Sequence, residues 1–293
     1  MDGTQLIGRL HDAADEALGL LELEHLAGVQ RVRHGRTHGG PHHTGTAHDG
    51  RARRDGHLGV VLGRNDLHVG GPRGVAGQAI LTAVRLIAIA DTHGYHDELD
   101  VPDGDVLVHA GDLTQRGTLK ELAAVGHFLA ALPHRHKLVI AGNHDWGLQR
   151  DPDAARAALG DVTYLLDGGV TIEGLRFWGS PWQPEFFDWA FNLPRGEALA
   201  ERWALIPEDT DVLITHGPPR GYGDRCFDGR REGCDDLLAR LAVVEPALHL
   251  FGHIHEDRGH WQRAETLIVN ATVAECEAPP TVLDYIDGSW RPA

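Results

Sequence analysis

Five short runs of consecutive, mainly apolar residues lie in the chain after residue 83. Each has four or five residues and is followed by glycine or by polar residues. Runs of this length are too short for an ordinary helix and are typical of strands buried on both faces. The strands are predicted at residues 86–90, 106–110, 138–141, 212–215 and 248–251.

Apolar residues recur with helical spacing between these strands. The clearest helix is predicted over residues 118–132, with Thr118 as its N-cap and with Leu119 and Leu122 on its inward face. Residues 170–178 alternate about a Glu-Gly pair, which predicts a hairpin. Further helices are predicted over 153–159, 196–205 and 234–244, and closing strands over 266–270 and 281–286. Together these elements predict an α/β fold.

The run at 138–141 has the most distinctive polar end of the five. It stops at Gly142, which permits a tight exit from the strand, and Asn143, His144 and Asp145 come directly after that glycine. An amide oxygen, an imidazole and a carboxylate are therefore presented together at one strand end. The carboxyl ends of strands are where open α/β sheets place their binding sites.

Metal-competent side chains lie after the other four strands as well. A single histidine after a strand is usually structural, but five strand ends of this kind predict one shared metal site. Because side chains alternate along a strand, residues 91 and 93 are expected to share a face and reach the same metal. The remaining candidates are Asp91 and His93, Asp112, His216, and His253 and His255.

The candidate donors are carboxylates, an amide and imidazoles, without a thiolate. This mixture suits Mn, Fe, Zn, Co or Mg and does not suit a structural zinc site built from cysteines. The number of candidate ligands exceeds the need of one ion. The simplest interpretation is therefore a binuclear metal centre, in which two divalent metal ions share a carboxylate.

Charge and composition narrow the possible partners. The formal net charge is -16, and residues 1–83 hold equal numbers of acidic and basic residues, so the charge lies after residue 83. An acidic body of this kind repels nucleic-acid polymers and anionic membranes. The three cysteines have no CxxC spacing, and neither a signal-peptide pattern nor an apolar run of membrane length is present. We therefore expect a cytoplasmic protein without a membrane partner.

The first 83 residues differ in character from the rest. From residue 29 to residue 77 they are rich in Gly, Arg and His and show no periodicity. Five histidines suggest a metal-binding tract, although the low apolar content favours a disordered segment. A third interpretation is that translation starts at Val84 and that residues 1–83 are a spurious extension. The histidines of this tract are His34, His38, His42, His43 and His48.

The strand-end motifs resemble those of the calcineurin-like metallophosphoesterases. Three further stretches, at 179–184, 191–196 and 215–219, are similar to the metallophosphoesterase-domain-containing branch, which resembles class III cyclic-nucleotide phosphodiesterases. The resemblance covers nearly all of residues 84–293, which are expected to form the phosphoesterase domain. The five motifs are Asp91-x-His93, Gly111-Asp112, Gly142-Asn-His-Asp145, His216-Gly217 and Gly252-His-x-His255.

The resemblance implies a β-sandwich of two mixed sheets flanked by helices, with the active site at the carboxyl ends of the strands. It also implies that His144 and Asn143 meet the substrate, His144 being the acid that protonates the leaving oxygen or steadies the phosphoryl charge. Two sets of metal ligands joined by one bridging carboxylate are implied: Asp91, His93 and His255; Asn143, His216 and His253; and Asp112 as the bridge.

The implied activity is hydrolysis of phosphodiesters, with cyclic nucleotides among the candidate substrates, by a metal-activated hydroxide. A phosphomonoesterase is one alternative. A non-catalytic scaffold that binds a nucleotide or a partner on the same fold is another. The intact ligand set favours the enzyme, whose expected partner is a small phosphoester.

Several residues near the motifs have more than one interpretation. Asp145 could orient His144 or cap the turn after it. Trp182 and Gln183 could form a rim that binds a base, or they could be structural, and burial is expected more for Trp189 than for Trp182. A cluster of arginines could clamp a phosphate, although a solvated surface loop is favoured: Arg225, Arg230 and Arg231.

A chain that begins at Val84 should fold and keep its activity, because every ligand-bearing strand end lies after that residue. The truncated and full chains can be compared by thermal unfolding and by metal-dependent phosphoester hydrolysis. An insoluble or inactive truncated chain would contradict this expectation.

Overall fold

The computed structural model describes residues 83–293 of the protein. Residues 1–82, which include the predicted histidine tract, lie outside the described residues, and the boundary predicted at Val84 stays a prediction. The described part contains two six-stranded sheets that pack face to face, and helices cover their outer faces. The α/β sandwich expected from the resemblance is therefore confirmed.

The first sheet has the strand order β14-β13-β1-β2-β3-β4. Strands β1 to β4 are parallel, and the last two strands of the chain pair antiparallel at the other side. Three of the five predicted strands are its central members. The bounds are β1 Val84–Ile89, β2 Val106–Ala110, β3 His136–Ile140, β4 Thr163–Tyr164, β13 Thr281–Ile286 and β14 Ser289–Pro292.

The second sheet has the order β11-β12-β10-β9-β6-β5. Its four central strands are parallel, and β5 and β11 are antiparallel edges. The turn of the β5–β6 hairpin has positive φ at both central residues, Glu173 and Gly174, which matches the right-handed twist of the strands. The bounds are β5 Gly168–Ile172, β6 Leu175–Ser180, β9 Val212–Thr215, β10 Leu248–Phe251, β11 Gly259–Arg263 and β12 Thr266–Asn270.

Two very short strands, β7 Gln183–Pro184 and β8 Asn192–Leu193, pair with each other outside the two sheets. Neither was predicted, and the edge strands β4, β11 and β14 were also missed, because two-residue or polar strands carry little hydrophobic pattern. The loop that joins β7 to β8 lies beside the candidate ligands, since its residue Ala190 donates its N–H to the oxygen of Asn143.

Alternate residues of each central strand face the space between the sheets, as strand geometry requires. Leu86 and Ala88 of β1 meet Ile214 of β9 and Leu250 of β10 in that inner core. The intervening residues of β1, such as Ile87, face helices instead. Both faces are buried, which explains why the strands read as continuous apolar runs.

Five α-helices cover the described part of the sandwich. The longest begins at a capping box in which Thr118 and Glu121 satisfy each other's backbone N–H groups. Leu119, predicted on its inward face, is 47% exposed, because the buried face is formed one turn later by Leu122, Val125 and Leu129. The helices are α1 Leu119–Ala131, α2 Trp146–Arg150, α3 Pro152–Leu159, α4 Glu197–Ala204 and α5 Asp235–Val244.

Helices α1 and α3 share an apolar cluster with the outward side chains of the first sheet, and α4 and α5 do the same for the second sheet. The helices leave the carboxyl ends of the parallel strands to the loops that carry the candidate ligands. None of the helices in residues 83–293 is long and apolar enough to cross a membrane.

Candidate metal centre

The candidate ligands lie at the carboxyl ends of five strands, β1, β2 and β3 in the first sheet and β9 and β10 in the second. Asp91, His93 and His255 form one group, in which one potential ligand atom from each residue lies within 4.8 Å of the others. The shortest contact recorded between Asp91 and His255 is 3.9 Å, from His255 Nε2 to Asp91 Oδ1. The two sheets therefore contribute to one site.

Asp112, His216 and His253 form a second group on the same distance criterion. His216 Nδ1–H donates to the backbone oxygen of Ala110 at 3.0 Å, which turns Nε2 toward the group. That Nε2 atom lies 2.8 Å from Asn143 Oδ1 and 3.4 Å from Asp112 Oδ2. Asn143 therefore joins the second group, as the resemblance implies.

Asp112 lies between the two groups. Its Oδ2 atom is 3.4 Å from His216 Nε2 on one side and 3.7 Å from His93 Nε2 on the other. Its Oδ1 atom accepts the backbone N–H of His144 at 2.8 Å. This is the position that a carboxylate shared by two metal ions would need.

Four of the candidate ligands have a left-handed backbone. The φ angles are 58° at Asp91, 44° at His93, 53° at Asp112 and 73° at His253. Positive φ is uncommon in residues other than glycine, and such conformations concentrate at functional sites. The chain therefore bends sharply after the strands and turns these side chains into the site.

This bend corrects one part of the sequence interpretation. Asp91 and His93 do share a ligand group, but strand alternation is not the reason, because β1 ends at Ile89 and both residues come after it in a turn.

Glycines leave room for the crowded side chains. A Cβ atom on Gly142 would overlap the carboxylate of Asp112, and one on Gly252 would overlap that of Asp91. A Cβ atom on Gly111 would lie 2.5 Å from His216 Nδ1. Each of these glycines precedes a candidate ligand in the chain and makes space for a ligand from another strand.

Hydrogen bonds tie the ligand loops of the two sheets together. The carboxylate of Asp91 accepts the backbone N–H of His253, with both oxygens within 3.0 Å of the nitrogen. The N–H of Gly252 donates to the oxygen of His216 at 3.0 Å. These contacts fix the relative positions of the loops after β1, β9 and β10.

Two buried histidines that are not candidate ligands support the same loops. His109 Nε2 lies 3.0 Å from the hydroxyl of Thr92, which also contacts the oxygen of Leu113. His249 Nε2 lies 2.9 Å from the hydroxyl of Thr215, which donates to the oxygen of Gly217. A histidine within one strand of each sheet therefore braces a threonine next to candidate ligands.

The protonation of the cluster suits a divalent cation. Burial lowers the pKa of His253 to about 3 and holds the pKa of His93 well below its usual value, so both imidazoles are neutral and keep a lone pair for a metal. Burial also opposes a charge on His216, but Asp112 outweighs it and raises the pKa of His216 to about 9. Positive charge is thus favoured beside Asp112, and the nitrogen and oxygen donors fit a divalent metal ion.

Comparison with known proteins identifies the family. Residues 65–257 match the calcineurin-like phosphoesterase family, which is more than half of the chain. The chain belongs to the calcineurin-like phosphoesterases. The match begins before Val84 and so includes some residues outside the described part.

Individual relatives agree with this assignment. The human metallophosphoesterase domain-containing protein 1 is 41% identical over 229 residues, covering 68% of this chain and 70% of its own length. The UPF0046 protein K07C11.7 of Caenorhabditis elegans is 42% identical over 207 residues, covering 66% of this chain and 70% of its own length. The protein is therefore, by family, a metal-dependent phosphoesterase of the metallophosphoesterase-domain-containing branch.

A solved structure supports the fold. The crystal structure of TT1561 from Thermus thermophilus is 16% identical and superposes with a TM-score of 0.51 over 72% of this chain and 99% of its own. At this identity the likeness concerns the fold alone.

His144 of this phosphoesterase lies beside both ligand groups. Its Nδ1–H donates to the backbone oxygen of Gln115 at 2.9 Å, which leaves Nε2 as the free nitrogen of the ring, without a hydrogen-bond partner among residues 83–293. The ring centroid is 4.5 Å from that of His93, in an edge-to-face arrangement. On another side the indole of Trp189 stacks on it, with centroids 4.3 Å apart and planes 27° from parallel. The imidazole is therefore held on three sides.

Asp145 does not hydrogen-bond to the ring of His144. Its carboxylate accepts the backbone N–H groups of Leu113, Thr114 and Gly142 and the hydroxyl of Thr114. Burial, with the nearby carboxylate of Asp112, raises the pKa of Asp145 to about 6. These contacts favour a role for Asp145 in stabilising the turn after β3 over a role in orienting His144. They also attach that turn to the loop after β2.

Trp182 and Gln183, both predicted to bind substrate, have structural partners. The Trp182 indole N–H donates to Asp167 at 2.8 Å, and the guanidinium of Arg202 lies 4.5 Å from the centroid of its ring. Gln183 is buried, and its side-chain amide donates to Asn192 at 3.1 Å. Substrate binding by these two residues stays a prediction that none of these contacts supports.

The two tryptophans differ in their neighbours more than in their burial. Both are half-buried, so Trp189 lacks the greater burial expected for it. Trp182 packs against apolar clusters under the helices, whereas Trp189 stacks on the candidate catalytic residue His144. The sequence carries a weak signal for this, since Trp189 falls in a loop dense in aromatic residues, but only the fold brings that loop to His144.

Asp112→Ala should lower the metal content by at least one ion per chain, because no other carboxylate in residues 83–293 lies within 4 Å of both the His93 and the His216 ring nitrogens. Turnover should fall by more than about 100-fold, since loss of even an outer-sphere partner of a metal ligand costs roughly 10- to 100-fold. Elemental analysis and phosphoester hydrolysis check both points, with the exposed Asp153→Ala in α3 as the control. Two metals per chain in Asp112→Ala would refute the bridging role.

Gly142→Ala should weaken the centre without removing any ligand. The new Cβ atom would overlap the carboxylate of Asp112, and overpacking of this kind costs about 1–3 kcal/mol. We expect a lower free energy of unfolding in urea and a lower metal content. Gly168→Ala is the matched control, since its nearest neighbour would be the oxygen of Leu166 at 3.6 Å. Equal stability and equal metal content in the two variants would contradict the expected overlap between the new Cβ atom and the carboxylate of Asp112.

Proposed function

We propose that the protein hydrolyses phosphodiesters at a binuclear centre formed by the two ligand groups and Asp112. The observation that carries this proposal is the placement of His144. A histidine with one free ring nitrogen lies beside both groups, and the candidate ligand sets do not require it. Cleavage of a diester of an ordinary alcohol needs a proton for the departing oxygen, and a histidine so placed can supply it.

The proposed ligand division reflects the geometry of the cluster. One ion would be held by Asp91, His93 and His255, a second by Asn143, His216 and His253, and Asp112 would be shared. Divalent ions bound there would supply positive charge to the phosphoryl oxygens and would lower the pKa of a water molecule that attacks phosphorus.

The chain's own residues would orient the substrate and move its proton. The hydrogen bond from His144 Nδ1–H to Gln115 places the second proton of the imidazolium on Nε2, the free nitrogen. The stacking of Trp189 limits rotation of the ring. His144 Nε2–H is therefore positioned to donate to the oxygen of the departing alcohol, or to stabilise charge on the phosphoryl group.

Two of the three arginines that could clamp a phosphate are paired with carboxylates. A phosphomonoester carries up to two negative charges and would gain from free guanidinium groups. Here Arg230 pairs with Asp228, and Arg231 pairs with the buried Asp224. These ion pairs support the interpretation of this segment as a surface loop and give no support to a phosphate clamp for a monoester.

The first test of this proposal is metal-dependent hydrolysis of bis-p-nitrophenyl phosphate. Purified protein would be stripped with chelator and reloaded with Mn, Fe, Zn, Co or Mg. Cyclic nucleotides, dinucleotides and phosphomonoesters would then be compared as substrates. No hydrolysis of any ester with any metal would favour the non-catalytic scaffold.

His144→Ala should keep both metals but lose rate by roughly two to four orders of magnitude, the contribution of a positioned proton donor. The loss should be larger for esters of a ribose hydroxyl than for those of p-nitrophenol, whose phenolate departs without a proton. Metal content and the rate constants for both kinds of ester check this expectation.

The alternatives are separated by the same variant. Equal losses for both leaving groups would indicate that His144 stabilises phosphoryl charge instead. Loss of metal from His144→Ala would show that His144 is itself a ligand, which the third His/Asp group, His93, Asp112 and His144, makes a concrete alternative.

A further inference from the structure

A five-residue segment between β7 and β8, the aromatic loop Glu185–Trp189, carries three aromatic side chains next to the candidate centre. Phe186 is 46% exposed and Phe187 is 79% exposed. Large apolar side chains are seldom left in water in this way without a binding role when they lie together. The centroids of their rings are 4.5 Å apart and the ring planes are inclined by 63°, so the two rings line an open corner.

The aromatic loop contacts both sides of the candidate centre. At one end the ring of Phe186 lies 6.0 Å from the ring of His253, edge to face. At the other end Trp189 stacks on His144, 4.3 Å between centroids. A phosphoester bound at the centre would therefore have its organic groups beside this loop.

Hydrogen bonds hold the aromatic loop in place despite its exposure. The side-chain amide of Asn192 donates to the oxygens of Phe186 and Phe187, at 2.9 and 3.3 Å. Gln183 donates in turn to Asn192, and the N–H of Ala190 donates to the oxygen of Asn143 at 3.0 Å. The loop is thus attached to the segment that carries His144.

The backbone of Phe187 is also unusual. Its φ is 48°, a conformation that is rare for a bulky residue and that persists only where surrounding contacts enforce it. The strain and the hydrogen bonds together keep Phe187 projecting into solvent beside the site.

We propose that Phe186 and Phe187 form a subsite for a planar aromatic group of the phosphoester substrate, of the size of a phenyl ring or a nucleobase. Such a group would stack on one ring and meet the edge of the other, the two geometries that aromatic pairs prefer. This inference rests on the proposed function for the location of the phosphoryl group, and it assigns Gln183 and Asn192 to positioning the loop. It would give the enzyme a preference for aryl and nucleoside esters over alkyl esters.

Binding can be measured without catalysis. Phenylphosphonate and methylphosphonate place a phosphorus group at the centre but cannot be hydrolysed. By calorimetry with the Mn-loaded protein, phenylphosphonate should bind roughly 2- to 12-fold more tightly, the range for one aromatic contact. The double variant Phe186→Ala/Phe187→Ala should lose this preference and keep its affinity for methylphosphonate. Phe227→Ala, which removes an aromatic residue that is 83% exposed elsewhere, should retain the preference.

Kinetics supply a second measurement. Bis-p-nitrophenyl phosphate and methyl p-nitrophenyl phosphate release the same phenolate and differ only in the ester group that remains. The first substrate has an aryl group on both sides of phosphorus and the second has only the departing one, so the double variant should raise KM for the first by a larger factor than KM for the second.

The outcomes separate the two proposals. A wild-type protein that prefers phenylphosphonate but hydrolyses neither diester would refute the proposed function and support the subsite. Hydrolysis of both diesters with equal phosphonate affinities, or with a preference that survives the double variant, would overturn the subsite alone.

Discussion

The carboxylate of Asp112 is almost fully removed from solvent and contacts groups from three neighbouring strand ends. A buried charge of this kind is costly unless opposite charge and hydrogen-bond donors surround it. Here the imidazoles of His93 and His216 and the N–H of His144 meet it from different sides. The two ligand groups and the backbone of His144 therefore meet at this one carboxylate.

Several residues of the candidate centre have unfavourable backbone conformations, which the packing of the sandwich maintains. Four candidate ligands have left-handed backbones, and three glycines leave no spare volume between them. Such strain persists because the strands that end at the site are anchored by cores on both faces. The buried His109 and His249, each contacting a threonine next to candidate ligands, extend this support from the sheets into the loops.

Charge and shape act at different ranges around the centre. The chain carries a formal net charge of -16, which disfavours approach of polyanions. At short range, divalent cations bound by the donors of the candidate centre would reverse the sign of the charge. On the proposed function, the apolar surface that the aromatic loop adds between Phe186 and Trp189 would suit a small ester with one charge and a flat organic group better than a polymer.

The sequence by itself was sufficient for the five central strands, because burial on both faces requires continuous apolar runs. The motifs at the strand ends also indicated the family and the candidate ligands. They did not indicate how the ligands meet: Asp91 and His93 come together through left-handed turns and not through strand alternation. The partners of Asp145 and Trp182, and the exposure of Phe187, were likewise outside the reach of local pattern. Hydrophobic periodicity reports which face of an element is buried. The contacts of Asp145 and Trp182 join segments that are separate in the chain, and only the folded structure brings them within hydrogen-bond distance.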